Sequence, residues 1–264
     1  MAQELFRSYR RLFPFKLATT SYIYPDHLIP NVAKLAPFFD EIELVLFESH
    51  GQDNLPDEEQ IESLRDVRLQ QGIDFNIHLP IDLYLGDADE KVRTSGLSTI
   101  KKIVEMTLCL NPSVYTLHLE QKNQGELEDW QSRLIRSMEE VCGWSVDPKR
   151  ITIETLGYPF EWIEEIVRHF GFSICLDIGH ILVSGQDLKC HFEKYFSRTS
   201  IIHLHGVEDG VDHLGIDRLT DSALNLIMDR LSNFRGTVSI EVFSIDELKR
   251  SLVTLEEEWR RRPS

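Results

Sequence analysis

Apolar residues along this chain fall into two alternating rhythms. Short β-branched and aliphatic runs, of the kind that fill a buried strand, recur at Lys16–Ser21, Glu41–Glu48, Asp74–Leu79, Ser113–Leu119, Arg150–Thr155, Phe172–Gly179, Ser200–Gly206 and Thr237–Phe243. Between them lie stretches whose apolar positions are three and four apart, the spacing of one helix face. EEQIESLRDVRLQQG and SALNLIMDRLSNFRG are two of these, and each is predicted to stop at a glycine C-cap, Gly72 and Gly236. The segment from about Asp87 to Leu110 reads as helix throughout.

Strand–helix alternation implies parallel strands joined by right-handed crossovers. Eight repeats of it fill the chain with no Gly/Ser/Pro-rich linker. An open doubly wound sheet would place a glycine-rich phosphate turn after its first strand, and ATTSYIYPD is not one. The expectation is a single-domain α/β fold, a closed (β/α)8 TIM barrel over residues 16–264, after an N-terminal arm of residues 1–15. Such a barrel gathers the C-terminal ends of all its strands on one face.

Those ends are where polar residues interrupt the apolar runs. Six of the ten histidines sit there: His78 in FNIHLP, His118 in VYTLHLE, His180 in ICLDIGH, His203 and His205 in IIHLHG, and His213 just beyond. Three carboxylates share the pattern, Glu154 in ITIET, Asp177 in ICLDIGH and Glu241 in VSIEVF. Any one of them alone reads as a hydrogen-bonded core residue, because burying a polar group without a partner is costly. Their joint placement at successive strand ends points to a metal centre. Asp177 and His180 are three apart, so a shared site requires the chain to turn at the strand end, which Gly179 permits. His203 and His205 are two apart on a strand and project to one side.

Imidazole with carboxylate suits zinc or manganese, with iron as a further option, rather than calcium. The candidates exceed what one ion takes, so two or three ions sharing a bridging carboxylate are expected. Glu154, Glu241 and His180 are the candidates for catalytic roles. A cluster of this kind stabilises the attacking and leaving oxygens of a phosphoryl displacement. One ion held by Glu154, Asp177, His203 and Glu241 instead suits enediolate chemistry on a sugar, with carboxylates acting as acid and base on adjacent carbons. Ser21, Tyr22, Tyr24 and Glu48, at the ends of the first two strands, are candidates for substrate contact. Tyr158 is a candidate for ring stacking and Arg218 for a phosphate contact, against plainer readings as a packing residue and a surface ion pair.

A net charge of −16 argues against a surface that grips DNA by counterion release. The basic Arg260–Arg261–Arg262 run reads as a solvated helix end. Cys109, Cys142, Cys175 and Cys190 show no CxxC spacing, and Cys175 in SICLD reads as a small core residue. Unpaired cysteines, an N-terminus without a signal-peptide core and no run of about 18 apolar residues together predict a cytoplasmic protein with no membrane partner.

From Lys16 to Glu256 the chain resembles the xylose-isomerase-like TIM-barrel superfamily, which contains endonuclease IV and sugar-phosphate isomerases and epimerases. The resemblance implies a shared core of Glu154, Asp177, His203 and Glu241 on strands five to eight. His78 followed by Leu-Pro, and His118 closing strand four, are similar to the endonuclease IV branch, where two such histidines join the strand-five glutamate on one zinc. His180 in DxxH resembles that branch's third-metal ligand. The branch's Asp-x-His pair after strand seven has no exact counterpart, since Asp212 and His213 are adjacent in GVDHLG. The opening TSYIYPDHLIPNVAKLAPFFDEIELVLFE resembles the cobamide-remodelling phosphodiesterases of this superfamily. That likeness implies a small corrinoid partner cleaved at a phosphoester of its nucleotide loop.

Overall fold

The computed structural model describes residues 7–49, 55–121 and 125–262. Strands β1 (Lys16–Thr20), β2 (Glu41–Val45), β3 (Asp74–His78), β4 (Tyr115–Leu117), β5 (Ile151–Glu154), β6 (Ser173–Asp177) and β7 (Thr199–Leu204) follow one another along the chain. An antiparallel hairpin, β8 (Gly206–Glu208) and β9 (Val211–Leu214), comes next, and β10 (Thr237–Ile240) is the last strand. All strands but the hairpin pair in parallel and close a barrel in the order β1-β10-β7-β6-β5-β4-β3-β2. This is the expected single-domain (β/α)8 barrel.

Helices α1 (Leu28–Leu35), α2 (Glu58–Gln71), α3 (Glu90–Thr107), α4 (Leu127–Cys142), α5 (Glu164–Phe170), α7 (Leu188–Tyr195), α8 (Asp221–Leu231) and α9 (Ile245–Arg260) surround it, with the short α6 (Ile178–Val183) following β6 directly. Local chemistry sets their limits. A capping box between Asp57 and Gln60 starts α2, and Gly72 ends it in the left-handed conformation at φ 61°. Asp89 accepts the Lys91 N–H and starts α3 later than the apolar rhythm predicts.

Gly236 does not cap α8, which stops at Leu231. A β-carbon at Gly236 would lie 2.2 Å from the Ser200 carbonyl oxygen, so this glycine serves a close approach between chain segments. The strands are also shorter than predicted. β2 ends at Val45, and β6 ends at Asp177 because its carboxylate accepts the His180 N–H at 2.5 Å and opens α6. The hairpin turns at Asp209 (φ 53°) and Gly210 (φ 79°), both left-handed as a two-residue hairpin turn requires.

The described part of the arm lies against the barrel. The Tyr9 N–H donates to the Phe38 carbonyl, and Phe13 and Phe15 meet Trp259 edge-on. Among the described residues no helix is long and apolar enough to cross a membrane.

Candidate metal centre

The barrel delivers its polar side chains to one mouth by position within each strand. His78 closes β3, Glu154 closes β5, Asp177 closes β6 and His203 lies within β7, paired in register with Asp177. His118, His205 and Glu241 each follow the last residue of a strand, while His180 sits in the first turn of α6 and His213 in β9. All but His180 and His213 are buried.

Glu154 is the hub. Its Oε2 lies 3.2 Å from His78 Nε2, 3.1 Å from His118 Nε2 and 3.5 Å from His203 Nδ1, and its Oε1 lies 3.3 Å from His180 Nδ1. His203 Nδ1 is also 3.1 Å from Glu241 Oε2 and 3.7 Å from Asp177 Oδ2. His78 Nδ1 is 3.0 Å from the Leu79 carbonyl, which can only accept. The ring donates from Nδ1 to that carbonyl, and Nε2 faces Glu154 Oε2, so Nε2 would be the ligand atom for a cation held between them.

Two sets made of imidazoles and carboxylates alone, each with its ligand atoms within 4.8 Å of one another, share the Glu154 carboxylate: His78–His118–Glu154 and Glu154–Asp177–His203–Glu241. His180, His205 and His213 form another such set. His118 Nε2, Glu154 Oε1, His180 Nδ1, both ring nitrogens of His203 and Glu241 Oε2 are buried without a well-aligned hydrogen bond. Buried polar atoms normally have partners, so this convergence of bare donors fits divalent cations.

The electrostatics agree. Burial would raise the Glu154 carboxyl, but the imidazoles of His118 and His203 hold it well below the usual carboxylate range. Burial likewise opposes ionisation of Asp177, and His205 and His180 outweigh it. Burial would lower the His180 imidazole, but Asp177 and Glu154 push it up to about 10.

One residue of this centre escaped the sequence reading. Glu43, fully buried in β2, lies 3.0 Å from His203 Nε2 and accepts the Ser239 hydroxyl, and it groups with His78, His203 and Glu241. Its signal was a carboxylate inside the apolar run EIELV, the same signal that marks Glu154. Cys175 is fully buried, with a thiol pushed up by burial, as a small core residue should be; its sulfur also lies near Glu154 and His203.

A cleft of about 640 Å³ opens beside His118 and His180, lined also by Glu48, Asp82, Glu120 and the apolar Ile81 and Val183. Tyr22, Phe47, Phe243 and His213 form a chain of ring-to-ring contacts of 4.9, 5.4 and 5.0 Å. Other candidate contact residues have partners within the fold. The Ser21 hydroxyl accepts the Val45 N–H, and the Tyr24 backbone is bound to Asn31. Tyr158 donates to the Leu119 carbonyl and packs between Trp130 and Trp162. Arg218 pairs with Glu208 at 2.9 Å, on the surface.

Fold and site together define a (β/α)8 barrel whose C-terminal mouth gathers groups of residues that could hold a metal ion. The chain belongs to the family described as Xylose isomerase-like TIM barrel, whose profile matches residues 31–261. Among solved structures it is similar to a D-tagatose 3-epimerase-like protein, at 20% identity and a TM-score of 0.78 over 94% of this chain and 98% of that one. It is similar to a zinc-bound IolI protein at 16% identity and a TM-score of 0.74, over 95% of this chain and 100% of that one. It is also similar to endonuclease IV from Thermus thermophilus at 13% identity and a TM-score of 0.68, over 94% of this chain and 100% of that one. No curated protein matches the chain in sequence.

Proposed function

We propose that this chain is a metal-dependent hydrolase that cleaves a phosphodiester in a small, cofactor-like substrate, the nucleotide loop of a cobamide being the first candidate. The observation that carries the reading is the pair His78 and His118. They add a second ligand group to Glu154, and enediolate chemistry on one ion has no need of them. The pair of ligand groups suits zinc or manganese, with iron as a further option. When bound, divalent ions acidify water and neutralise charge developing on a phosphoryl group.

The protein's own residues supply the rest. Glu154 bridges the two groups, and His78 is oriented by the Leu79 carbonyl. His180, flanked by Glu154 and Asp212, hands a proton to the departing oxygen. No lysine or arginine lines the cleft among the described residues, which favours a substrate with little negative charge outside the reacting phosphoester over DNA or a terminal sugar phosphate. The exposed, mutually contacting rings of Phe47 and Phe243 suit a substrate with a broad apolar face. Four cysteines without disulfides fit a reducing cytoplasm.

A second reading, a single-metal sugar or sugar-phosphate isomerase or epimerase, has its own support. Glu154, Asp177, His203 and Glu241 form a complete four-ligand group by themselves. The similar solved structures are mostly sugar epimerases, so the comparisons favour this second reading. A substrate panel separates the two: a cobamide with its nucleotide loop, abasic-site DNA, and ketoses with their phosphates. Corrinoid phosphoester cleavage that is lost in both His78→Ala and His118→Ala supports hydrolysis. Ketose interconversion that survives both substitutions hands the case to the isomerase.

A further inference from the structure

His205 differs from the other histidines of the centre in that one of its ring nitrogens accepts a backbone N–H while the other faces a carboxylate. Nδ1 accepts the backbone N–H of His213 at 2.8 Å. A backbone N–H can only donate, so Nδ1 carries its lone pair toward it. A neutral imidazole has one ring proton, which then sits on Nε2. Nε2 lies 3.1 and 3.2 Å from the two oxygens of Asp177 and donates to that carboxylate. A ring in this state has no lone pair left for a cation.

The surroundings are built around this arrangement. A β-carbon at Gly179 would lie 1.9 Å from His205 Cε1, so the glycine of DIGH makes room for the ring; the turn after β6 comes instead from Asp177 capping α6. His213 adopts φ 54°, a left-handed conformation that a non-glycine residue keeps only where its surroundings impose it. From there its N–H meets His205, its own Nδ1 reaches the Glu241 carbonyl at 3.1 Å, and its ring stacks on His205 at 4.2 Å. The β8–β9 hairpin, inserted between β7 and α8, delivers this contact.

We infer that His205 is a positioning residue that fixes the Asp177 carboxylate through Nε2–H, with the hairpin locking its tautomer, and that it is not itself a metal ligand. It departs from the sequence-based expectation that His205 binds metal. It rests on a metal at the Asp177 group, which both functional readings share.

The test is 15N NMR of the histidine rings in the full-length protein, metal-free and then titrated with zinc. The expected result is a His205 proton on Nε2 that persists at zinc saturation, with Nδ1 unprotonated throughout. Loss of that proton on zinc binding, with Nε2 shifting as a ligand, overturns the proposal while leaving the metal reading intact. A chain that binds no zinc fails the metal reading and takes this proposal with it. Two variants supply an independent readout by chelator competition. His205→Phe should keep the wild-type number of zinc ions per chain and weaken their affinity about 10- to 100-fold. His205→Gln, whose amide can still donate to Asp177, should recover part of that loss. A drop of one zinc per chain in both variants would identify His205 as a ligand and overturn the inference.

Discussion

Glu41 and Glu154 are both buried inside one barrel, at opposite mouths, and the protein treats them in opposite ways. At the N-terminal mouth, Glu41 Oε1 accepts from Asn76 and Ser113 at 2.8 and 2.5 Å, and Oε2 from Lys16 and Thr237 at 3.4 and 3.3 Å. Both Glu41 oxygens have donors. At the C-terminal mouth, Glu154 Oε1 has no well-aligned donor, and the histidines and carboxylates around it leave further atoms bare. A polar cluster closed by hydrogen bonds holds strands together. A cluster whose ligand atoms face one another unsatisfied waits for something else to satisfy them. The same side chain, equally buried, is a structural element at one end and a candidate bridging ligand at the other.

The largest effect should come from breaking the open cluster at its hub. Glu154→Ala removes the carboxylate common to both ligand groups, and should strip metal from both and lower activity by on the order of a thousandfold. Metal analysis with turnover measured in metal-depleted buffer checks this. Full activity there would mean that the centre is not what drives the reaction.

His78→Ala and His118→Ala come next. Each opens the His78–His118–Glu154 group while leaving Glu154, Asp177, His203 and Glu241 in place, and should cut phosphoester hydrolysis by about a hundredfold, mainly in kcat, since the lost interaction serves the transition state. An unchanged kcat with a raised KM would reassign both histidines to substrate binding.

The closed cluster should answer with stability, and its answer should depend on pH. Burial raises the Glu41 carboxyl above its ordinary value, against the pull of Lys16. A carboxyl raised in the folded state favours folding when protonated, and that contribution is lost as pH rises through its folded pKa. Lys16→Met removes the opposing cation and raises Glu41 further, so the variant should lose more stability at about pH 7.5 than at about pH 5. Because the Lys16 side chain is 45% exposed, the cost at neutral pH should be only about 1 kcal/mol, with turnover unchanged. Denaturant melts at the two pH values decide it; a pH-independent loss would mean that Glu41 does not titrate.

The smallest functional effect belongs to Cys175→Ala, which should cost about 1 kcal/mol of stability through lost packing and leave turnover nearly intact. A collapse of zinc affinity in that variant would draw the thiol into the metal centre.

The strand–helix rhythm made the barrel legible, because each unit is local and a parallel β/α repeat has few ways to close. Carboxylates and histidines at strand ends were legible for the same reason. Glu43 was not, although it stands in an apolar strand as Glu154 does, because its nearness to His203 exists only once β2 and β7 face each other across the closed barrel. The β8–β9 hairpin carried a local signal, Asp209-Gly210 between Val207 and Val211, that the eight-unit rhythm obscured. Gly179 and Gly236 were read as backbone devices because glycine's freedom of φ is a local property. Their actual partners, the His205 ring and the Ser200 carbonyl, come from elsewhere in the fold. The same holds for Tyr158 and Arg218, whose sequence neighbours say nothing of Leu119 or of how the hairpin presents Glu208.

If Glu154 joins two ligand groups, the centre should take more than one ion. Metal equivalents per chain, measured by elemental analysis on the purified protein and on His118→Ala, test it most directly. At least two equivalents are expected in the wild type and one fewer in the variant. A single equivalent in both would leave only the Glu154–Asp177–His203–Glu241 group occupied and would contradict it.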